Sequence, residues 1–84
     1  MLFSVIIPTH NESSALSFAL KELLNSINYL SQVEIILSDG GSSDDSLDQA
    51  RLYPVITVSS PKGRAIQMNA GAKQAIGDWL VFLH

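Results

Sequence analysis

Val33-Glu34-Ile35-Ile36-Leu37-Ser38, followed by Asp39-Gly40-Gly41-Ser42-Ser43-Asp44-Asp45, is the stretch that decides the fold. An apolar run is stopped by a polar, glycine-containing turn, and residues that open a helix come next. Ser42 or Ser43 is expected to cap that helix, with Asp44 and Asp45 in its first turn, where the backbone dipole favours anions. The helix is expected to run to about Leu52, because Pro54 breaks it. The same unit recurs on both sides. Residues 3–8 are nearly continuously apolar, the pattern of a strand covered on both faces. Thr9, His10 and Asn11 then make a polar turn. Leu16, Ala19, Leu20, Leu23, Leu24 and Ile27 recur at helical period and predict a helix over 13–27, capped by Asn11 or Ser13. Downstream lie a strand at 55–59, a loop at Ser60-Pro61-Lys62-Gly63 and a helix over 64–76. Ala65, Met68, Ala72, Ala75 and Ile76 fall near one face of that helix, and Gly77 suits its C′ position. A last strand, expected to be buried, covers 78–84. The order β-α-β-α-β-α-β predicts an α/β fold with a parallel sheet and right-handed crossovers, without internal repeat or domain boundary.

The chain has 84 residues, enough for one small domain whose folding buries about 60–65% of the surface its unfolded form exposes. Hydrophobic residues are 46% and charged residues 15%, a globular rather than a disordered composition. The net charge of −3 argues against a nucleic-acid footprint. With no cysteine, disulfides and thiolate metal sites are excluded. No apolar run reaches the length of a membrane span, and the N-terminus lacks the basic region and cleavage site of a signal peptide. The expectation is a cytoplasmic chain, with membrane association open through segments outside this sequence.

In a parallel sheet of this kind every strand-to-helix turn lies on one edge, and ligands bind outside the carboxyl ends of the strands. That edge collects Thr9, His10, Asn11 and Glu12, then Asp39, Gly40, Gly41 and Ser42, then Ser60 to Arg64, and finally His84. The reverse turns, at 28–32, 53–54 and 77–78, read as plain connectors. Asp39 can accept hydrogen bonds from a base imino group or a ribose hydroxyl, with glycines that let a ligand approach the backbone. Equally, Asp39 to Ser42 can be a tight turn and nothing more. Lys62 and Arg64 flank Gly63 at a helix N-terminus, which suits a diphosphate, although two isolated cations are more often solvated surface charges. Asn69 orients that loop or caps a neighbouring backbone group. Glu12 bonds a ribose or only complements the helix dipole. His10 and His84 lack the accompanying ligands of a metal site. The dinucleotide fingerprint, the P-loop and the hydrolase elbow are all absent.

Four segments occur in order and at matching spacing: Ser4 to Glu12, Glu34 to Asp44, Lys62 to Ala72 with its Gly63-Arg64-Ala65-Ile66-Gln67-Met68-Asn69-Ala70-Gly71, and Gly77 to His84. The chain resembles the family 2 glycosyltransferases, with their A-type, Rossmann-like nucleotide-diphosphosugar fold. The resemblance covers the whole chain but only the N-terminal part of the family domain. It implies that Pro8, Thr9, Asn11 and Glu12 line a nucleoside pocket and that Asp39 bonds the base, most often uracil. It further implies that Ser42 closes the turn, that Lys62, Gly63 and Arg64 sit near ribose or diphosphate, and that Asn69 supports them. The acidic motif that holds Mg²⁺ or Mn²⁺, and the catalytic base of inverting members, would lie beyond His84. No catalytic residue and no metal ligand is therefore expected within residues 1–84, and the isolated chain is expected to have little or no transferase activity.

The rival reading is a catalytically inactive module that binds nucleotide or pairs with a second copy through an unfinished sheet. A nucleotidyltransferase would want a glycine-rich, arginine-containing loop after the first strand, which Thr9-His10-Asn11-Glu12 is not.

Overall fold

The computed structural model describes residues 2–11, 13–26, 32–44 and 46–83. Seven elements follow one another: β1 (Phe3–Thr9), α1 (Ser13–Ser26), β2 (Val33–Asp39), α2 (Ser46–Ala50), β3 (Ile56–Ser59), α3 (Arg64–Gln74) and β4 (Trp79–Phe82). The strands form one parallel sheet in the order β3-β2-β1-β4. The chain moves outward from β1 to β2 to β3 and then returns to the other side of β1. With right-handed crossovers that reversal must place α3 on the face opposite α1 and α2.

The packing follows that rule. On one face, Val5, Ile35 and Leu37 pack with Leu16 and Leu20 of α1 and Ala50 of α2. On the other, Ile6 and Ile36 meet α3 at Gly71, where an added Cβ would lie 2.6 Å from Ile6 Cγ2. A glycine there lets the helix lie close on the sheet. β1 and β2 are thus enclosed from both sides, as the apolar runs predict.

Several boundaries differ from expectation. β1 and β2 each extend one residue further, through Thr9 and Asp39, because the two ends pair with each other. β3 begins at Ile56 rather than at residue 55. α2 is shorter than predicted. Neither Ser42 nor Ser43 caps it. Asp44 Oδ1 instead accepts from the Ser46 N–H at 2.9 Å and from the Ser46 hydroxyl, so the helix starts at Ser46. Asp44 therefore precedes the helix rather than lying in its first turn, and Asp45 lies outside the described residues. α3 stops at Gln74, where Ala75 takes an extended conformation and donates to Ala72 O. Gly77 is consequently no C′ residue. Its backbone packs on the start of β1, and a Cβ there would collide with Ser4 Oγ. The buried stripe of α3 is Gln67 and Gly71, while Ala65 and Ile76 are exposed. Ala19 is exposed on α1, and Ile27 lies outside the described residues.

The strand expected to be buried is not. Trp79, Leu80, Val81 and Phe82 all stand exposed on β4, which pairs with β1 on one side and with no described strand on the other. An apolar sequence states that a strand suits a covered environment. It does not supply the cover. The connector at 77–78 is also more than a plain link: Gly77 N–H donates to Ser4 Oγ (2.9 Å), Ile76 N–H to Glu34 Oε2 (2.8 Å) and Asp78 N–H to Leu2 O (2.8 Å). These contacts account for Ser4 and Glu34 inside otherwise apolar strands. No described helix is long and apolar enough to cross a membrane.

Candidate functional site: the carboxyl edge of the sheet

Thr9, Asp39 and Ser59 are level across β1, β2 and β3, so the three turns that follow them leave the sheet side by side. The Asp39 carboxylate, buried with 1% of its surface exposed, organises its own turn. Its Oδ2 accepts from the N–H groups of Gly41 (3.0 Å) and Ser42 (2.8 Å), and its Oδ1 accepts from the Ser42 hydroxyl. Ser42 Oγ in turn accepts from the Asn11 N–H at 2.9 Å. The Asn11 side chain returns the link: its Oδ1 accepts from the N–H groups of Ser43 (2.7 Å) and Asp44 (3.2 Å). Asn11 holds a left-handed φ of 51°, a conformation that asparagine tolerates better than most residues. Through these contacts it staples the first turn to the second. Gly40 N–H completes the seam by donating to Thr9 O at 2.9 Å.

The third turn is tied in by a residue the sequence reading passed over. Gln67, the fourth residue of α3, is buried and bonds through both ends of its carboxamide. Nε2 donates to Thr9 O (2.9 Å) and to Ser38 O (3.0 Å), while Oε1 accepts from the Gly63 N–H (3.0 Å). One side chain thus joins the ends of β1 and β2 to the loop that carries Lys62 and Arg64. Gly63 has φ 148°, a region open to glycine and strained for other residues. No side-chain hydrogen bond caps α3, and Lys62 and Arg64 beside its start are both exposed and without an ion pair among the described residues. A signal for Gln67 existed in the sequence: it stands four residues before Gly71, on the stripe that the small residue places against the sheet.

Of the predicted site residues, Thr9, Asn11, Asp39 and Ser42 converge in one network, and Lys62, Gly63 and Arg64 adjoin it through Gln67. Pro8, half-buried, pairs in register with Ser38. Asn69 is set apart from Gln67's face. It lines, with Ser60, Pro61 and Lys73, a shallow groove of about 410 Å³ between the start of the loop and α3. Glu12 and His84 lie outside the described residues. Among the described residues no group of three His, Asp or Glu side chains could hold a metal ion.

Strand ends carrying stapled polar turns, with an uncapped helix start beside two cations, form an arrangement that can receive an anion. A family model for glycosyl transferase family 2 matches residues 4–84, and the chain belongs to that family. A PGL/p-HBAD biosynthesis glycosyltransferase of Mycobacterium tuberculosis is 34% identical over 89 residues, an alignment covering 98% of this chain and 34% of that protein. An uncharacterized glycosyltransferase of Haemophilus influenzae is 29% identical over 85 residues, covering 98% of this chain and 28% of its own length. The chain thus spans about a third of the length of these relatives. Among solved structures, Staphylococcus aureus TarS (residues 1–349) in complex with UDP superposes with a TM-score of 0.71 at 27% identity, over 99% of this chain and 27% of that one. Glucosyl-3-phosphoglycerate synthase of M. tuberculosis, in complex with Mn²⁺, UDP and glucosyl-3-phosphoglycerate, superposes with a TM-score of 0.80 over 98% of this chain and 32% of that one. At 24% identity it bears on the fold alone. Both have the parallel α/β arrangement expected from the sequence.

Proposed function

We propose that this chain is the N-terminal, nucleotide-binding part of an inverting glycosyltransferase that moves a sugar from a nucleotide-diphosphosugar, with UDP as the nucleotide, to an acceptor hydroxyl. The observation that carries the reading is the joining of three strand-end turns into one polar edge in a chain of this family. In this reading Pro8, Thr9, Asn11 and Glu12 line the nucleoside. Asp39 Oδ1, which accepts one hydrogen bond in the turn and has capacity for another, takes the base imino N–H. Ser42 keeps that turn closed. Lys62, Arg64 and the first N–H groups of α3 receive the diphosphate, with Gly63 giving the backbone its shape and Asn69 flanking the loop. Cleaving a sugar–phosphate bond builds negative charge on the departing diphosphate, and cations and helix N–H groups aimed at that charge lower the barrier.

A divalent cation, Mg²⁺ or Mn²⁺, would share this task in the full enzyme. Among the described residues no cluster of His, Asp or Glu side chains fits one. Among the described residues the edge offers no carboxylate base to activate the acceptor, and the isolated chain is expected to bind donor nucleotide without turning it over.

A second reading, a module that pairs with a second copy through β4, is favoured by one observation: all four β4 residues are apolar and exposed, on the strand that ends the sheet among the described residues. Calorimetric titration of the purified protein with UDP, with and without Mn²⁺, alongside its mass in solution, separates the two. Manganese-independent UDP binding by a monomer supports the first. A stable dimer that does not bind UDP supports the second.

A further inference from the structure

Gln67 occupies a position where a polar side chain is costly unless fully bonded. All the carboxamide's contacts go to backbone groups of three different turns or strand ends. The protein also gives up a side chain to admit it. A Cβ on Gly40 would lie 2.7 Å from Gln67 Oε1, 2.8 Å from its Cδ and 3.0 Å from its Nε2. Gly40 is not among the glycines with left-handed φ, so its backbone would accept alanine; only the closeness of the carboxamide excludes it. The amide end of a glutamine is ordinarily free to swing aside. Here, moving it breaks the hydrogen bonds to Thr9 O, Ser38 O and Gly63 N–H together.

The consequence is unequal across the edge. The first and second turns keep the Asp39–Ser42–Asn11 staple whatever Gln67 does. The Pro61-to-Arg64 segment has no comparable side-chain tie to those turns among the described residues. We infer that Gln67 is a positioning residue for the nucleotide site: through Gly63 it sets Lys62, Arg64 and the start of α3 against the Asp39 turn, so that the diphosphate and the nucleoside are gripped at once. This rests on the nucleotide reading above and adds to it a division of labour. The staple serves the nucleoside end, and Gln67 serves the diphosphate end.

The test compares UDP with uridine by calorimetry on wild type, Gln67→Met, Gly40→Ala and the double variant. Gln67→Met keeps the shape and removes the hydrogen bonds; Gly40→Ala keeps the glutamine and displaces it. Each single change is expected to weaken UDP by about tenfold or more, the scale on which orienting partners act, while uridine changes less than about twofold. In the Gln67→Met background, Gly40→Ala is expected to add little, because the bonds it breaks are already gone. If Gln67→Met does not fold, Gly40→Ala alone reads the same UDP-to-uridine ratio. Equal losses for UDP and uridine, or no loss of either, would overturn the positioning role and leave the nucleotide site standing. Wild type that binds neither ligand would overturn the nucleotide reading itself, before any variant is compared.

Discussion

β1 and β4 are paired residue against residue, Val5 with Val81 and Ile6 with Phe82, and are similarly apolar. Yet Val5 and Ile6 are 7% and 0% exposed, while Val81 and Phe82 are 38% and 42% exposed. The difference lies in the neighbours. β1 has α1 and α2 above, α3 below and strands on both sides. β4 has β1 alone. Apolar character therefore does different work in the two strands: in β1 it holds the fold together, and in β4 it forms a surface suited to contact.

The largest effect expected from breaking this comparison is in β1. Ile6→Ala removes a fully buried side chain beneath α3 and should cost about 3–4 kcal/mol in denaturant unfolding. Asp39→Ala should cost about 1–2 kcal/mol, since it removes the acceptor of N–H and O–H donors in a part-buried turn. It should also weaken uridine as well as UDP, which calorimetry reads directly. Gly71→Ala forces a methyl against Ile6 and should cost about 1–2 kcal/mol. Combined with Ile6→Ala it should cost less than the two apart, because the smaller side chain makes room. Arg64→Ala should leave stability unchanged and weaken UDP by about tenfold, with uridine little affected; equal losses would remove Arg64 from the diphosphate. The smallest effect is expected in β4, where Phe82→Ser should shift stability by no more than about 0.5 kcal/mol. A loss near that of Ile6→Ala would mean that β4 is covered in solution.

Element order and sheet direction were legible because each apolar run is cut off by a polar turn, and that alternation admits few topologies. The polar edge was legible for the same reason: strand ends carry the residues that neither core nor helix explains. Other features depend on partners distant in sequence. Ser42 looks like a helix cap until Asn11, 31 residues earlier, claims it, and the cap then passes to Asp44. Gln67 looks like a solvated helix residue until the carbonyls of Thr9 and Ser38 are placed beneath it. The exposure of β4 was hidden because hydrophobicity records what a segment suits and not what surrounds it.

The central claim is that the stapled carboxyl edge, and not the apolar β4 surface, meets the nucleotide. Backbone amide NMR shifts on titration with UDP test it most directly. The account predicts changes concentrated at residues 9–11, 40–43 and 62–66, with Trp79 to Phe82 unmoved. Changes centred on Trp79 to Phe82, or no changes at the edge under saturating UDP, would contradict it.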